Sequence, residues 1–99
     1  MKKLIYISGQ ITGLHEDDYY SNFGDAGDVL YKLYPNADII SPLGIKHYFN
    51  FWIGYMISDI RELKKCTHIA MQPNWIESRG ACIEYFFSKF IFKQTIIFL

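Results

Sequence analysis

The segment S-R-G-A-C-I-E at residues 78–84 carries the residue types best suited to chemistry. Ser78 is a good first residue for a helix, because its side-chain oxygen accepts a hydrogen bond from an unpaired backbone N–H. The remaining N–H groups and the helix dipole favour an anion. Arg79 adds positive charge, and Gly80 would let a ligand approach the backbone closely. Glu84 would lie about 9 Å along the helix from Ser78, roughly the span from a phosphate to a sugar carbon.

Glu84 stands among apolar neighbours in the sequence, between Ile83 and the aromatic residues that follow it. Burial of a carboxylate costs several kcal/mol unless other groups compensate, so a glutamate in this setting is unusual. Two interpretations stay open. Glu84 is either a buried catalytic carboxylate or a solvent-facing residue that pairs with Ser88 or Lys89.

A second candidate segment is Y-I-S-G-Q-I-T-G at residues 6–13. Here a strand leads into a loop that contains Ser8, Gly9 and Gly13, and backbone N–H groups in such a loop can hold a phosphate. The segment matches neither the P-loop nor the G-x-G-x-x-G pattern. An ordinary turn is the alternative interpretation.

Asp59 is the third candidate, within a predicted helix. Its neighbours on the helix surface, Tyr55, Met56 and Leu63, have the apolar character of a core-facing stripe. A carboxylate at the border of that stripe could orient a sugar hydroxyl or hold a proton. A solvated partner for a lysine or arginine is the alternative.

Metal and disulfide chemistry find little support in the sequence. The three histidines are scattered, whereas a zinc site needs clustered ligands, and we expect neither a metal nor another cofactor. Cys66 and Cys82 show no C-x-x-C spacing. We interpret both as reduced core residues of a cytoplasmic protein. Trp52 and Trp75, with Tyr48 and Phe49, could stack on a base or serve as core or dimer contacts.

The elements that position these residues alternate regularly. The patterns predict strands over 4–7, 38–41, 67–71 and 95–99, and helices over 19–34, 51–65 and 78–90. This β-α-β-α-β-α-β order predicts one α/β domain, a small flavodoxin- or Rossmann-like three-layer sandwich with a four-stranded parallel sheet. Ligands bind beyond the carboxyl ends of such strands, where the loops 8–13 and 42–50 and the turn into 78–80 would meet. The acidic run 16–18 is either a solvated loop or a helix start.

Composition narrows the range of partners. The formal net charge is zero and no basic stripe occurs, which argues against a nucleic acid polymer. No apolar stretch reaches the ~18 residues of a membrane span. Hydrophobic residues make up 51% and aromatic residues 18% of the chain, so we expect excess apolar surface to be buried in a homodimer or larger homo-oligomer.

Two of these segments resemble sequence motifs of a known family. Residues 6–13 resemble the Y-I-S-G-P-I-T-G opening of a bacterial and phage domain family of unknown function, and residues 75–84 resemble its W-x-x-S-R-G-A-x-x-E segment. Trp52, Met56 and Asp59 also fit its W-x-x-x-M-x-x-D helix. The resemblance covers essentially the whole chain. That family is in turn similar to the nucleoside 2-deoxyribosyltransferases and the 2'-deoxynucleoside 5'-monophosphate N-glycosidases.

The similarity to these enzymes implies roles for several residues. It implies that Glu84, four residues after Gly80, attacks the anomeric carbon, that Asp59 assists in the site, and that Tyr6 lies close to the glutamate. Six residues before their glutamate, the monophosphate hydrolases carry a phosphate-binding serine, and this chain has Ser78. Gln10 replaces the usual proline, and the enzymes continue beyond the fourth strand.

The sequence therefore predicts an enzyme that cleaves or transfers the N-glycosidic bond of a nucleoside or deoxynucleoside 5'-monophosphate. Glu84, Asp59 and Tyr6 would be its catalytic residues. We expect phosphate to be held by residues from two loops: Ser8, Gly9, Gly13, Ser78, Arg79 and Gly80. The alternatives are a nucleotide-binding or nucleotide-sensing module without catalysis and a phage-type accessory protein.

Overall fold

Four short and largely apolar runs form the strands of this protein. The computed structural model describes residues 2–45 and 51–99. The elements follow the order β1 (Leu4–Ser8), α1 (Glu16–Leu33), β2 (Asp38–Ile40), α2 (Trp52–Lys64), β3 (His68–Met71), α3 (Arg79–Phe86) and β4 (Thr95–Phe98). The predicted α/β fold class is confirmed.

The four strands make one parallel sheet in the order β2-β1-β3-β4. The inner strands β1 and β3 are almost entirely buried. Side chains alternate between the two faces of a strand, so Ile5 and Ile7 point to one side of the sheet while Tyr6 and Ser8 point to the other. The carboxyl ends of β1 and β3 lie side by side, where the backbone N–H of Gln72 donates to the carbonyl of Ser8 at 2.9 Å.

Helices cover both faces of the sheet. Phe23, Ala26 and Leu30 of α1 pack against Ile5 and Ile7 on one face. On the other face α2 and α3 share a second core, where Leu63 and Ala81 join Tyr6. Each helix buries an apolar stripe on a sheet that is hydrophobic on both sides, which is the stable solution for alternating strands and helices.

The first helix begins three residues before the predicted start. The Nδ1 atom of His15 accepts a hydrogen bond from the backbone N–H of Asp17 at 3.2 Å, which caps the helix. Acidic residues in the first turn also favour a helix start, because the helix dipole is positive there. Of the two alternatives for the run 16–18, the helix start is the correct one.

The prediction of a single helix over 78–90 is wrong in its second half. The α-helix ends at Phe86, and a π-helical segment follows over Phe87–Ile91. A partly buried hydrogen bond joins this segment to the chain that follows it: the Ser88 hydroxyl donates to Oε1 of Gln94 at 2.7 Å. The side-chain amide of Gln94 in turn donates to the carbonyl oxygens of Leu63 and Cys66.

The predicted loop after β2 contains a short 3-10 turn at Pro42–Gly44, for which the Ser41 hydroxyl accepts from the N–H of Leu43. The rest of that loop, including Tyr48 and Phe49, lies outside the described residues. Among the helices that the structure describes, none has the length and apolarity needed to cross a membrane.

Candidate functional site

The carboxyl group of Glu84 is buried where α3 meets β1. Only 4% of the residue is exposed. Its Oε2 atom accepts a hydrogen bond from the Tyr6 hydroxyl, and its Oε1 atom accepts one from the Ser8 hydroxyl at 2.7 Å. The alternative that Glu84 faces solvent and pairs with Ser88 or Lys89 is wrong, because α3 turns this side chain toward the sheet.

Tyr6 and Ser8 reach the same carboxyl group because they are two residues apart on one strand. The two-residue period of β1 puts both side chains on the face that α3 covers. Both residues are completely buried. Neighbouring positions Ile5 and Ile7 face α1 instead and only support the strand.

The ionisation of this cluster is shifted. Burial raises the pKa of Glu84 to about 8, while the hydrogen bonds from Tyr6 and Ser8 lower it and the charge of Asp59 raises it further. Burial, followed by the charge of Glu84, raises the pKa of Tyr6 well above its ordinary value. Tyr6 therefore stays a hydrogen-bond donor, and Glu84 gains or loses its proton near neutral pH. A carboxyl group with such a pKa suits acid, base or nucleophilic chemistry.

A cavity of about 490 Å³ opens onto Glu84. Its volume is within the usual range for small-molecule sites. The walls come from the loop after β1, from α2 and from the turn that leads into α3. They are lined by Gly9, Ile11, Thr12, Pro42, Trp52, Tyr55, Met56, Asp59, Glu77, Ser78, Arg79, Gly80 and Ala81. The cavity lies at the carboxyl ends of the strands, as expected for a parallel sheet.

Asp59 enters this cavity from α2. It is 9% exposed, and its charge acts on both Glu84 and Tyr6. Because Asp59 is buried, the alternative interpretation of a solvated surface aspartate is wrong. Two carboxyl groups at one cavity repel each other when both are charged, so Asp59 helps to keep a proton on Glu84.

The start of α3 forms the opposite wall of the cavity. The Ser78 hydroxyl accepts a hydrogen bond from the N–H of Ala81 at 3.1 Å, as predicted for a helix cap. Helix geometry leaves the N–H groups of Arg79 and Gly80 without an intrahelical acceptor. The Arg79 guanidinium lies 4.8 Å from the centre of the Trp52 ring, a cation–π contact that joins α3 to α2.

Gly9 is needed because the chain is crowded at the end of β1. A Cβ atom at this position would come within 2.5 Å of the side-chain amide of Gln72. Gln72 is buried, and its Nε2 atom has no hydrogen-bond partner among the described residues. The turn after β3 also contacts this loop, since Oδ1 of Asn74 accepts a hydrogen bond from the N–H of Gln10 at 3.3 Å.

Two predicted phosphate ligands lie elsewhere. The hydroxyl of Ser8 is engaged by Glu84 behind the cavity, so the side chain serves the carboxyl group. Gly13 is exposed and is not among the described residues that line the cavity; its φ of +90° marks a turn that glycine adopts easily. Gly9, Ser78, Arg79 and Gly80 do line the cavity.

The comparison of sequences assigns the chain to a family. Residues 3–97 match the model of the family described as "Domain of unknown function (DUF4406)". The chain belongs to this family. No curated protein matches it.

In this member of the family, several cavity residues were not among the predicted site residues, and three of them are informative. Pro42 follows β2, Tyr55 lies one helical turn before Asp59, and Glu77 precedes the helix cap. Pro42 belongs to the predicted loop 42–50, and Tyr55 and Glu77 lie close to the predicted residues Asp59 and Ser78. Because these segments meet at the carboxyl ends of the strands, the positions of all three could have been predicted. Trp52 lines the cavity, whereas Trp75 stacks on Tyr85 with ring centres 4.7 Å apart.

Two larger clefts lack buried ionisable groups. One of about 580 Å³ is lined by residues such as Arg61 and Lys65, and one of about 830 Å³ by residues such as Tyr31 and Asn36. Every ionisable residue in their linings is exposed or half-buried. The cavity at Glu84 combines two buried carboxyl groups with a helix start. These groups make it a better candidate for the functional site than the larger clefts.

Within residues 2–45 and 51–99, no three His, Cys, Asp or Glu side chains cluster in the way a metal site requires. Both cysteines are free. Cys66 is buried, as predicted, and burial raises the pKa of its thiol to about 11. Cys82 is only half-buried, so its prediction as a core residue is wrong.

Proposed function

We propose that this protein cleaves the N-glycosidic bond of a nucleoside or deoxynucleoside 5'-monophosphate, with Glu84 as the nucleophile. The observation that carries the proposal is the Glu84 carboxyl group itself, buried at a ligand-sized cavity and held by hydroxyl groups on both oxygens. The resemblance to the nucleoside 2-deoxyribosyltransferase-like enzymes supplies the reaction class.

The proposed reaction has two steps, and Glu84 and Asp59 take part in both. Ionised Glu84 attacks the anomeric carbon, and the bond from that carbon to the base nitrogen breaks as the base leaves with the electron pair. In this reacting form the proton that Glu84 otherwise keeps lies on Asp59, and Asp59 donates it to the base. Water then attacks the anomeric carbon of the glycosyl ester and gives a proton to Asp59, which releases the sugar phosphate and restores Glu84. A second base in place of water would give transfer.

Phosphate binding is assigned to the start of α3. The N–H groups of Arg79 and Gly80 and the hydroxyl hydrogen of Ser78, whose oxygen already accepts from Ala81, are donors at one wall of the cavity. Arg79 supplies a positive charge near the buried carboxyl groups. A phosphate there neutralises that charge and sets the sugar between the helix start and Glu84.

The second candidate is a nucleotide-binding module that does not cleave its ligand. The pKa of about 8 for Glu84 favours it, because a protonated carboxyl group is a poor nucleophile. Such a module would use the same donors of α3 and the same cavity. Its binding would be indifferent to Glu84→Gln, which keeps the shape of the side chain but removes its charge.

The decisive experiment separates the products of each common ribo- and deoxyribonucleoside 5'-monophosphate by chromatography after incubation with the protein. We expect free base from the native protein and none from Glu84→Ala. Glu62→Ala is the matched control, since Glu62 is a half-buried glutamate of α2 outside the cavity. Undiminished turnover in Glu84→Ala would contradict the mechanism.

The absence of free base from every nucleotide would favour the binding module. A rise in melting temperature with a nucleotide would then identify the ligand, because a ligand that binds the native state stabilises it. We further propose that the protein acts in the cytoplasm, consistent with its free cysteines, and as a homodimer or larger homo-oligomer.

A further inference from the structure

The outer surface of α2 and α3 is unusually apolar. Ile53 and Ile57 of α2 are 60% and 51% exposed, and Phe86 of α3 and Phe90 of the following π-helical segment are 51% and 57% exposed. The rings of Phe86 and Phe90 are in contact, with centres 5.4 Å apart, and Phe86 also meets Phe87 edge-on. These residues form one continuous surface, which we call the α2–α3 face.

A groove runs along this face between the two helices. It has a volume of about 300 Å³. Its lining is almost wholly apolar: Trp52, Ile53, Met56, Ile57, Ile60, Ile83 and Phe87, with Arg61 as the charged member. Lys89 lies at the edge, with its ammonium about 5.4 Å from the centre of the Phe90 ring. An apolar centre with cationic side chains at its edge is the composition of a protein interface.

We infer that a second copy of this chain docks on the α2–α3 face about a two-fold axis. A two-fold contact uses the same patch on both partners, so the patch must complement itself. This face carries both a groove and, beside it, the protruding rings of Phe86 and Phe90. In a two-fold arrangement the rings of each copy face the groove of the other.

The size of the face agrees with a dimer. A phenylalanine offers roughly 200 Å² of surface, so the four half-exposed side chains present roughly 400–500 Å². With the half-buried groove residues and the polar edge, the area approaches the ~800 Å² that each partner buries in a standard interface. A chain of 99 residues also buries a small share of its own surface, which favours further burial.

The face is continuous with the cavity at Glu84. Trp52 and Met56 line both the groove and the cavity. A docked partner would therefore cover the outer side of the residues that form the cavity wall. It would also hold Trp52 where its ring meets Arg79.

Sedimentation velocity of the whole chain tests this inference. We expect a species of twice the 11.7 kDa chain mass. Ile57→Glu and Phe90→Glu each place a charge in the apolar contact, so the dimer dissociation constant should rise at least about tenfold. Leu33→Glu is the matched control. Leu33 is 60% exposed on α1, on the other side of the sheet, and its change should leave the dimer intact.

The charged variants are compared with Ile57→Ala and Phe90→Ala, which should weaken the dimer with less risk to folding; circular dichroism checks the fold of all four. A native protein that is monomeric in solution would overturn the inference. The same holds if this monomer sediments with lipid vesicles, because the face would then bind a membrane and not a second copy. A dimer that resists every substitution on the α2–α3 face would overturn it as well. No substrate is needed, so the outcome is independent of the proposed reaction.

Discussion

The Ser8 hydroxyl lies 2.7 Å from Oε1 of Glu84, although 76 residues separate the two in the sequence. Both residues are buried, and the other carboxylate oxygen is engaged by Tyr6. The end of β1 therefore acts on the carboxyl group directly. Ser8 and Tyr6 stabilise the ionised form of a group that burial would otherwise keep protonated.

Ser8→Ala should raise the pKa of Glu84 by about one to two units. A hydrogen bond to a charged group contributes about 1.5–3 kcal/mol, and one pKa unit corresponds to about 1.4 kcal/mol. Titration of the Glu84 carboxyl carbon by ¹³C NMR measures the shift, with exposed Ser21→Ala as control. If the protein is an enzyme, its rise in kcat/KM with pH should move to higher pH. An unchanged pKa of Glu84 would rule out this role for Ser8.

The free energy of unfolding should decrease as pH rises from 4.5 to about 8 through the contribution of Glu84. In this window the folded protein keeps a proton that the unfolded chain has released, because the folded pKa is about 8 and the ordinary value is 4.5. Stability then falls with pH, by about 1.4 kcal/mol per pH unit at most.

Urea denaturation at several pH values, with Glu84→Gln alongside, checks this slope. Glutamine has no proton to lose, so the difference between the two proteins isolates Glu84 from the histidines. His68 contributes with the opposite sign, because burial lowers its pKa. Parallel stability curves for the two proteins would show that Glu84 does not titrate in this range.

Gly9→Ala should destabilise the fold by about 1–3 kcal/mol, because the new Cβ would overlap the buried amide of Gln72. The double variant with Gln72→Ala should recover much of the loss by removing the overlap. Gly24→Ala is the control. Nothing lies within 4 Å of its added Cβ in α1, and alanine there should stabilise the protein slightly. Thermal unfolding measures all three; equal effects of Gly9→Ala and Gly24→Ala would refute the crowding.

Arg79→Ala should weaken binding of nucleoside 5'-monophosphates about tenfold or more and leave binding of nucleosides unchanged. The loss of a charged hydrogen bond to phosphate, about 1.5–3 kcal/mol, sets this size. Calorimetric titration compares the two ligand classes, and Lys32→Ala, which removes an exposed positive charge of α1 outside the cavity, serves as control. Equal losses for both classes would remove Arg79 from the phosphate site.

The alternation of apolar runs and helical stripes in the sequence was enough to predict the parallel sheet and its helices. Elements with a clear period, such as α1 with Phe23, Ala26 and Leu30, follow from local residue pattern. The boundaries of the helices depended on individual side-chain contacts, which the hydrophobic periodicity of the sequence does not reveal. His15 extends α1 through one side-chain hydrogen bond. The π-helical segment accompanies a hydrogen bond from Ser88 to Gln94, whose amide also donates to the distant carbonyl oxygens of Leu63 and Cys66.

The sequence by itself also determined which residues could do chemistry, because Ser78, Arg79 and Glu84 are close along the chain and a helix fixes their spacing. Residue pattern alone did not determine what Glu84 touches: the resemblance implied that Tyr6 lies close to it, and the tertiary structure shows that contact and adds Ser8. Its partners Tyr6 and Ser8 come from the other end of the chain, and its burial depends on the packing of α3 on the sheet. The pKa of a carboxyl group is set by what surrounds it in space, and chain order does not contain that information.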